Sequence, residues 1–238
     1  MSKTLIIGGA SGIGFAVASA LAEQENSIIL AGRSQEKLEA ARQSLTLRPA
    51  DVRTLTLDVS NEAEVVALSH SLGDVDHIVF TAGSSAPGGL LTDMDLSAAR
   101  RAFDTKFWGS IYTARHLSRN IRQRGTLTLT SGFLARRTLS GTLVKSTMNA
   151  AIESAAKVLA KELAPLRVNV VSPGLTDTEA YATMDPAARE KMLQAAAENL
   201  PVKAYGRAQD IAEGYLFLLN NPFVTGTVID IEGGALIN

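Results

Sequence analysis

The sequence predicts an α/β fold in which a doubly wound, mostly parallel seven-stranded sheet carries helices on both faces. Short apolar runs rich in Val, Ile and Leu alternate with longer helical patterns along the 238 residues, and this alternation is typical of a parallel sheet with crossover helices. The runs are continuous, as expected for strands that are covered on both faces. No linker or repeat divides the chain, so residues 1–238 are expected to form a single domain.

The predicted elements follow one another in a regular order. Strands are expected at residues 5–7, 27–31, 52–57, 77–81, 127–130, 168–171 and 228–231. Helices are expected at residues 12–23, 34–44, 62–71, 97–119, 143–163 and 209–219. Pro165 lies just beyond the fifth of these helices and marks its end, because proline cannot continue a helix.

Residues 176–205 interrupt this order. The segment lies between the last two strands and holds a helical pattern over 186–199, with Pro186 in its first turn, but no strand pattern. A helical insertion at this place is expected to act as a lid over a ligand crevice. An ordinary pair of surface helices is the alternative.

The composition argues against several classes of function. The chain has no cysteine and only three scattered histidines, so neither disulfides nor a metal site are expected. The net charge of −1 gives no electrostatic reason for a nucleic acid or membrane partner. No run reaches the roughly 18 apolar residues that span a bilayer, and no signal peptide pattern opens the sequence. We therefore expect a cytoplasmic protein that acts on a small molecule.

A glycine-rich turn follows the first strand and opens the first helix, which is the context of a dinucleotide-binding fingerprint. Gly8 permits the tight turn, Gly12 lets the backbone approach a pyrophosphate, and Gly14 lets the helix pack close to the sheet. The helix N-terminus supplies N–H groups to the phosphates. The sequence thus predicts a Rossmann-type fold, and the turn residues assigned to the cofactor are Gly8, Ala10, Ser11, Gly12, Ile13 and Gly14.

The residues after the second and third strands bear on the choice of dinucleotide. A carboxylate after the second strand suits the ribose hydroxyls of NAD, but this chain has Arg33 followed by Ser34, and a guanidinium suits a 2′-phosphate. We therefore expect NADP(H). After the third strand, Asp58 followed by Val59 can accept a hydrogen bond from the adenine amino group. The alternatives are a solvated surface arginine and, for Asp58, a helix cap that is compatible with the binding role.

These residues together resemble the short-chain dehydrogenase/reductase family, and the resemblance covers nearly the whole chain. It includes Thr81-Ala82-Gly83, the run 162–174, Thr178, the run 206–212, Thr225-Gly226 and Gly233-Gly234. The resemblance implies that Ala82 and Gly83 border the cofactor. It also implies that the nicotinamide end is lined by Pro173, Gly174, Thr176 and Thr178.

The catalytic tetrad of that family does not carry over to this sequence. Family members use a tyrosine acid, a lysine one helical turn later that lowers the tyrosine's pKa and holds the ribose, an upstream serine, and an asparagine on the preceding long helix. Those four positions hold Lys145, Asn149, Gly132 and Lys106, respectively. No tyrosine lies between residues 112 and 181, so a small register error cannot restore the pattern.

Reduction without the tyrosine remains feasible, since general acid catalysis adds only about 10²–10⁴-fold and an imine needs no oxygen protonation. Candidate catalytic groups are Ser131, Lys145, Arg137 and Asp177. Their alternatives are a strand-end serine bonded to its own backbone, a solvated lysine and a simple charged loop. Asn149 can still hydrogen-bond the ribose, though without a charge. Certain divergent relatives that lack the tyrosine and lysine use arginine and aspartate, which Arg137 and Asp177 resemble.

The first hypothesis is therefore an atypical NADP(H)-dependent oxidoreductase that acts on a small carbonyl or imine-type substrate. The second is a catalytically silent NADP(H)-binding sensor or scaffold, and a structural subunit of a mixed oligomer is the third. By resemblance, the two long helices would pair into a homodimer or homotetramer.

Overall fold

The computed structural model describes residues 2–83 and 86–238, and it confirms the predicted α/β architecture. Seven parallel strands form one sheet in the order β3-β2-β1-β4-β5-β6-β9. The strands of this sheet are β1 Lys3–Ile7, β2 Ser27–Gly32, β3 Asp51–Thr56, β4 Val75–Phe80, β5 Ile121–Thr130, β6 Arg167–Pro173 and β9 Val228–Ile231. The chain runs outward from β1 to β3 and returns to the other side of β1 with β4. This reversal places a crevice at the carboxyl ends of β1 and β4.

Helices cover both faces of the sheet and divide the apolar core into two clusters. On one face, α3, α4, α5 and α6 pack around Ile78, Phe80 and Leu127, which are completely buried. On the other face, α1, α2 and α8 pack around Ile6, Leu30 and Val171. The helices are α1 Gly12–Leu21, α2 Gln35–Ser44, α3 Glu62–Ser71, α4 Leu96–Phe103, α5 Gly109–Leu117, α6 Leu143–Glu162, α7 Pro186–Asn199 and α8 Ala208–Asn220. In the described part of the chain no helix is long and apolar enough to cross a membrane.

Polar side chains fix the starts of several helices, close to where the sequence predicts them. Ser34, Asn61, Asp95 and Asp185 each accept a hydrogen bond from a backbone N–H in the first turn of α2, α3, α4 and α7. Helix α3 has the predicted bounds, and so does α7, which begins with Pro186. These helices start where they do because local capping chemistry agrees with the apolar pattern.

The helix predicted over 97–119 is wrong as a continuous element. A π-helical turn, Asp104–Trp108, separates α4 from α5. Within it, the Lys106 carbonyl accepts a hydrogen bond from Ser110 Oγ at 2.6 Å. Gly109 follows the turn and packs closely against the end of the sheet, since a Cβ there would lie 2.9 Å from Val59 Cγ2, beyond β3, and 3.2 Å from Phe80 Cζ in β4. Apolar periodicity does not distinguish such a turn from regular helix, and π-turns are frequent at functional sites.

The prediction that residues 176–205 hold no strand is also wrong. Strand β7, Thr176–Asp177, pairs in parallel with β8, Gly206–Arg207, just beyond the segment's other end. Strands of two residues are too short to leave an alternating or apolar pattern in the sequence. The pairing ties the two ends of the segment together, and α7 lies between them. Whether the segment acts as a lid stays a prediction.

Candidate cofactor and active site

The residues predicted to bind the cofactor lie along the carboxyl edge of the sheet. The glycine-rich turn follows β1, Arg33 follows β2, Asp58 follows β3, Ala82 and Gly83 follow β4, and Gly174 follows β6. In open parallel sheets, ligands bind in the crevice at this edge, beside the point where the strand order reverses. The fold therefore brings these separate motifs to one side of the molecule.

The glycine-rich turn has the close approaches that its sequence predicts. Gly8 has φ +89°, and its N–H donates to the Ala31 carbonyl at 2.8 Å. A Cβ on Gly14 would lie 2.3 Å from the Gly8 carbonyl oxygen, so only glycine lets α1 start this close to β1. Ser11 stands at the N-cap of α1 without a side-chain capping bond. Its hydroxyl and the first N–H groups of the helix suit a pyrophosphate.

Glu179, which the sequence analysis did not single out, lies against this turn. Its Oε2 accepts a hydrogen bond from the Gly12 backbone N–H at 2.8 Å. A Cβ on Gly12 would lie 3.5 Å from Thr178 Cβ, so the segment after β7 reaches over the turn. A carboxylate oxygen thus occupies a donor that suits a phosphate oxygen, which shows that this N–H can receive an anion. No charge pattern or spacing in the sequence indicates this contact.

At the predicted adenine end of the site, Arg33 is exposed and acts electrostatically on Asp58. Partial burial raises the pKa of Asp58, but hydrogen bonds from Ser60 Oγ at 2.7 Å and Ser60 N at 3.0 Å, together with the Arg33 charge, outweigh it and lower that pKa. The alternative role of Asp58 as a helix cap is wrong, because Asn61 caps α3. Ser34 caps α2 by accepting from Lys37 N at 3.3 Å.

Three of the four residues at the positions that the resemblance assigns to the tetrad lie close together. Lys106 Nζ donates to Asn149 Oδ1 at 2.7 Å and to the Ser131 carbonyl at 2.8 Å. A Cβ on Gly132 would lie 2.8 Å from Asn149 Nδ2. Burial lowers the pKa of Lys106 to about 8, although the negative charge of Glu153 opposes this shift. The resemblance to the family identifies these positions, but no local pattern in the sequence indicates that their side chains are in contact.

The hydroxyl of Ser131 is engaged away from its own backbone. Ser131 is buried, and its Oγ donates to Glu153 Oε1 at 2.8 Å. Glu153 also pairs with Arg136, whose Nε lies 3.2 Å from Glu153 Oε2. Arg136 further donates to Ser172 Oγ at 3.2 Å and to Asp230 at 2.7 Å. A network of ion pairs and hydroxyls therefore links the ends of β5, β6 and β9 to α6.

The other predicted catalytic groups lie at different places around the crevice. Lys145 is exposed in the first turn of α6, one turn before Asn149. Arg137 donates to the carbonyl of Ala235. Asp177 accepts from Arg189 Nε at 3.0 Å. Arg137 and Asp177 therefore each bond to a different group, the Ala235 carbonyl and Arg189, respectively.

An apolar pocket of about 300 Å³ opens beside Arg137. The end of β5, the end of β6, α7 and the last residues of the chain contribute to its wall. Among the described residues that line it, Arg137 is the only charged side chain. The lining residues are Phe133, Arg137, Leu139, Leu175, Ala195, Ala196, Asn199, Leu200, Ala235 and Asn238.

In the segment after β7, Tyr181 is partly buried. Burial and the charge of Asp177 raise the pKa of Tyr181 above the usual value. Its phenol therefore stays protonated at neutral pH.

Comparison with known proteins identifies the family of this chain. Residues 8–235 match the family model described as "Enoyl-(Acyl carrier protein) reductase". The short-chain dehydrogenase/reductase ucsE of Acremonium sp is 32% identical over 98% of this chain and 94% of its own length. Matches of this extent are specific, and the chain belongs to the short-chain dehydrogenase/reductase family of oxidoreductases.

Two solved structures are similar over the full chain. A small-chain dehydrogenase in complex with NADPH is 42% identical, with a TM-score of 0.86, and covers 100% of this chain and 99% of its own. MalC Reductase/Diels-Alderase from Malbranchea aurantiaca is 30% identical, with a TM-score of 0.92, and covers 100% of this chain and 97% of its own. The likeness therefore extends through the segment 176–205 as well as the sheet.

Proposed function

We propose that this protein is an atypical NADP(H)-dependent oxidoreductase that reduces a small carbonyl or imine-type substrate without a tyrosine acid. The observation that carries the proposal is the apolar pocket beside Arg137, at the edge of the sheet that bears the cofactor motifs. Ligand pockets are mostly apolar with a few polar groups that fix orientation. A pocket of about 300 Å³ suits a small organic substrate.

NADP(H) is the cofactor that the residues favour. Arg33 follows β2 at the position where NAD-selecting proteins carry a carboxylate, and the exposed guanidinium is available to a 2′-phosphate. The relative of 42% identity was solved in complex with NADPH. The glycine-rich turn, in which Ser11 makes no side-chain capping bond to α1, fits the pyrophosphate.

When bound, the dinucleotide supplies the hydride, and the protein supplies position and charge. Phe133, Leu175 and Leu200 would exclude water from the reacting carbon. Arg137 would orient the substrate oxygen through its guanidinium. Lys145, exposed at the start of α6, would give a proton to an oxygen that becomes negative.

A silent NADP(H)-binding sensor is the second candidate, and one observation favours it. Two of the four groups considered for catalysis are held by other side chains: Ser131 by Glu153 and Asp177 by Arg189. A protein that only binds the cofactor needs no free acid in its crevice. The glycine-rich turn and Arg33 serve both candidates equally.

Self-association is a further part of the proposal. Trp108, Leu143 and Val158 are each close to half exposed, at 45%, 47% and 51%. They lie on the π-helical turn and on α6, the helices through which we expect a homodimer or homotetramer to form. A mass measured in solution equal to that of one chain would contradict this expectation.

A fluorescence titration with NADPH, followed by NADPH consumption over a series of ketones, imines and quinones, tests the function. We expect binding and turnover of at least one carbonyl or imine class, and we expect Lys145→Ala to lower that rate at least tenfold. Binding without turnover on any class would favour the sensor. Absence of binding would contradict both candidates.

A further inference from the structure

The Lys106 ammonium lies at the carboxyl end of β5, beside α6. Its two hydrogen bonds reach the carbonyl at the end of β5, on Ser131, and the side chain of Asn149 on α6. Both partners are neutral and both accept. Lys106 belongs to the π-helical turn between α4 and α5, and its side chain extends from there to the edge of the crevice.

Among the described residues, the Lys106 ammonium has partners for two of its N–H donors. A lysine ammonium has three N–H donors and no acceptor. Within residues 2–83 and 86–238, Lys106 Nζ gives two of them, at 2.7 and 2.8 Å, and makes no salt bridge. Lys106 as a whole residue is partly exposed, and its ammonium is the more buried part. One donor of a cation held at a fixed position thus remains for a ligand in the crevice.

The position of the Asn149 amide, which accepts from Lys106, depends on the small size of Gly132. A side chain at position 132 would press on Asn149, because a Cβ there comes within 2.8 Å of Asn149 Nδ2. Glycine at this position lets the amide of Asn149 lie where its Oδ1 can accept from Lys106. The three residues form one arrangement, so changing any of them disturbs the position of the ammonium.

The direction of the dinucleotide follows from the sheet order. The adenine groups, Arg33 and Asp58, stand beyond β2 and β3, and the pyrophosphate turn stands at β1. The second half of the dinucleotide must therefore extend the other way, over β4, β5 and β6. Its ribose adjoins the pyrophosphate and carries hydroxyl oxygens, which accept hydrogen bonds from an ammonium.

We propose that Lys106 binds the nicotinamide ribose of NADP(H) through its third N–H, with Asn149 and the Ser131 carbonyl holding the ammonium in place. This inference rests on the proposed cofactor but not on any turnover. It assigns a cofactor-binding residue to the π-helical turn. It also gives the site a positive charge that Asn149, at its position on α6, does not supply.

The test compares two ligands, the whole cofactor NADPH and adenosine 2′,5′-bisphosphate, which lacks the nicotinamide half. Lys106→Met is expected to weaken NADPH by about ten- to a hundred-fold, the usual effect of removing a charged hydrogen bond. Affinity for adenosine 2′,5′-bisphosphate should stay within twofold. Lys157→Met, at an exposed lysine on α6, is the matched control and should change neither.

Two further variants keep the inference testable if Lys106→Met folds poorly. Gly132→Ser should displace the Asn149 amide and weaken NADPH without affecting the adenosine ligand. The double variant Lys106→Asn with Asn149→Lys returns a cation to the same contact and should recover part of the lost affinity. Circular dichroism on each variant shows whether the fold is kept.

Equal loss of both ligands in a folded Lys106→Met variant would overturn the inference, since that is the result of a purely structural role. Unchanged NADPH affinity would overturn it too. If the unmodified protein binds NADPH and reduces nothing, the proposed enzymatic function fails while this inference stands. Absence of NADPH binding by the unmodified protein would overturn both.

Discussion

The Glu179 carboxylate accepts a hydrogen bond from the backbone N–H of Gly12 at 2.8 Å. Gly12 has φ +53° and opens α1, where backbone donors are expected to receive the pyrophosphate. One anion therefore stands where another is expected. Glu179 belongs to the segment after β7, so the same segment that would cover the crevice also contacts the phosphate turn.

Neutralising Glu179 should strengthen cofactor binding. Glu179→Gln removes a negative charge that the pyrophosphate would otherwise face or displace, and we expect NADPH affinity to rise about three- to tenfold. Stopped-flow fluorescence measures the association rate, which should rise as well. Glu190→Gln, an exposed residue on α7, serves as the control. Weaker binding in Glu179→Gln would show that the carboxylate helps to hold the bound state.

Reversing the charge at Arg33 should change cofactor choice. Arg33→Asp removes the group assigned to the 2′-phosphate and places a negative charge beside that phosphate. NADPH should therefore bind about ten- to a hundred-fold more weakly, while the affinity for NADH should stay unchanged. Parallel titrations with the two dinucleotides provide the measurement. Arg100→Asp, at an exposed position on α4, controls for net charge. A variant that keeps its full preference for NADPH would remove Arg33 from the site.

The Lys106 amine should make NADPH binding pH-dependent. Burial lowers the pKa of Lys106 from 10.5 to about 8, and Glu153 on α6 is the charged group that acts against this shift. The amine is a cation below pH 8 and loses its proton above it, so NADPH affinity should fall as the pH rises from 8 to 9.5. Adenosine 2′,5′-bisphosphate should show no such fall. Equal pH profiles for the two ligands would contradict the assignment.

The Arg136 network should matter for stability. Glu153 is buried, and Arg136→Met would remove its salt bridge, so that among the described residues its carboxylate keeps the Ser131 hydrogen bond and the longer-range charge of Lys106. An uncompensated buried charge costs about 3 kcal/mol, and thermal or urea unfolding measures the loss. The double variant Arg136→Met with Glu153→Gln should recover part of it. A single variant as stable as the unmodified protein would contradict this role for the network.

Much of the fold could be predicted because its apolar runs and caps agree. The helix 62–71 has the predicted bounds, since Asn61 caps it and its pattern is regular. Strand β5 was predicted only from residue 127, whereas it begins at Ile121. Residues 122–124 of this strand are polar and exposed, with Arg122 paired to Asp76 at 3.2 Å, so an apolar criterion could not detect the first half of the strand.

The candidate site could be predicted in its motifs but not in its contacts. The role of residues 8–14 can be predicted from the sequence because glycine is required where the backbone of α1 approaches the turn after β1 so closely. The contact of Lys106 with Asn149 depends on a π-helical turn and joins residues 43 positions apart. The contact of Glu179 with Gly12 spans 167 positions. Such contacts are set by packing of distant elements, which no local pattern encodes.

Isothermal titration of the unmodified protein with NADPH and with NADH tests the central claim most directly. The glycine-rich turn, Arg33 and Lys106 together predict saturable binding of one dinucleotide per chain, with NADPH bound more tightly than NADH. If neither NADPH nor NADH binds to the folded protein, the central claim is contradicted.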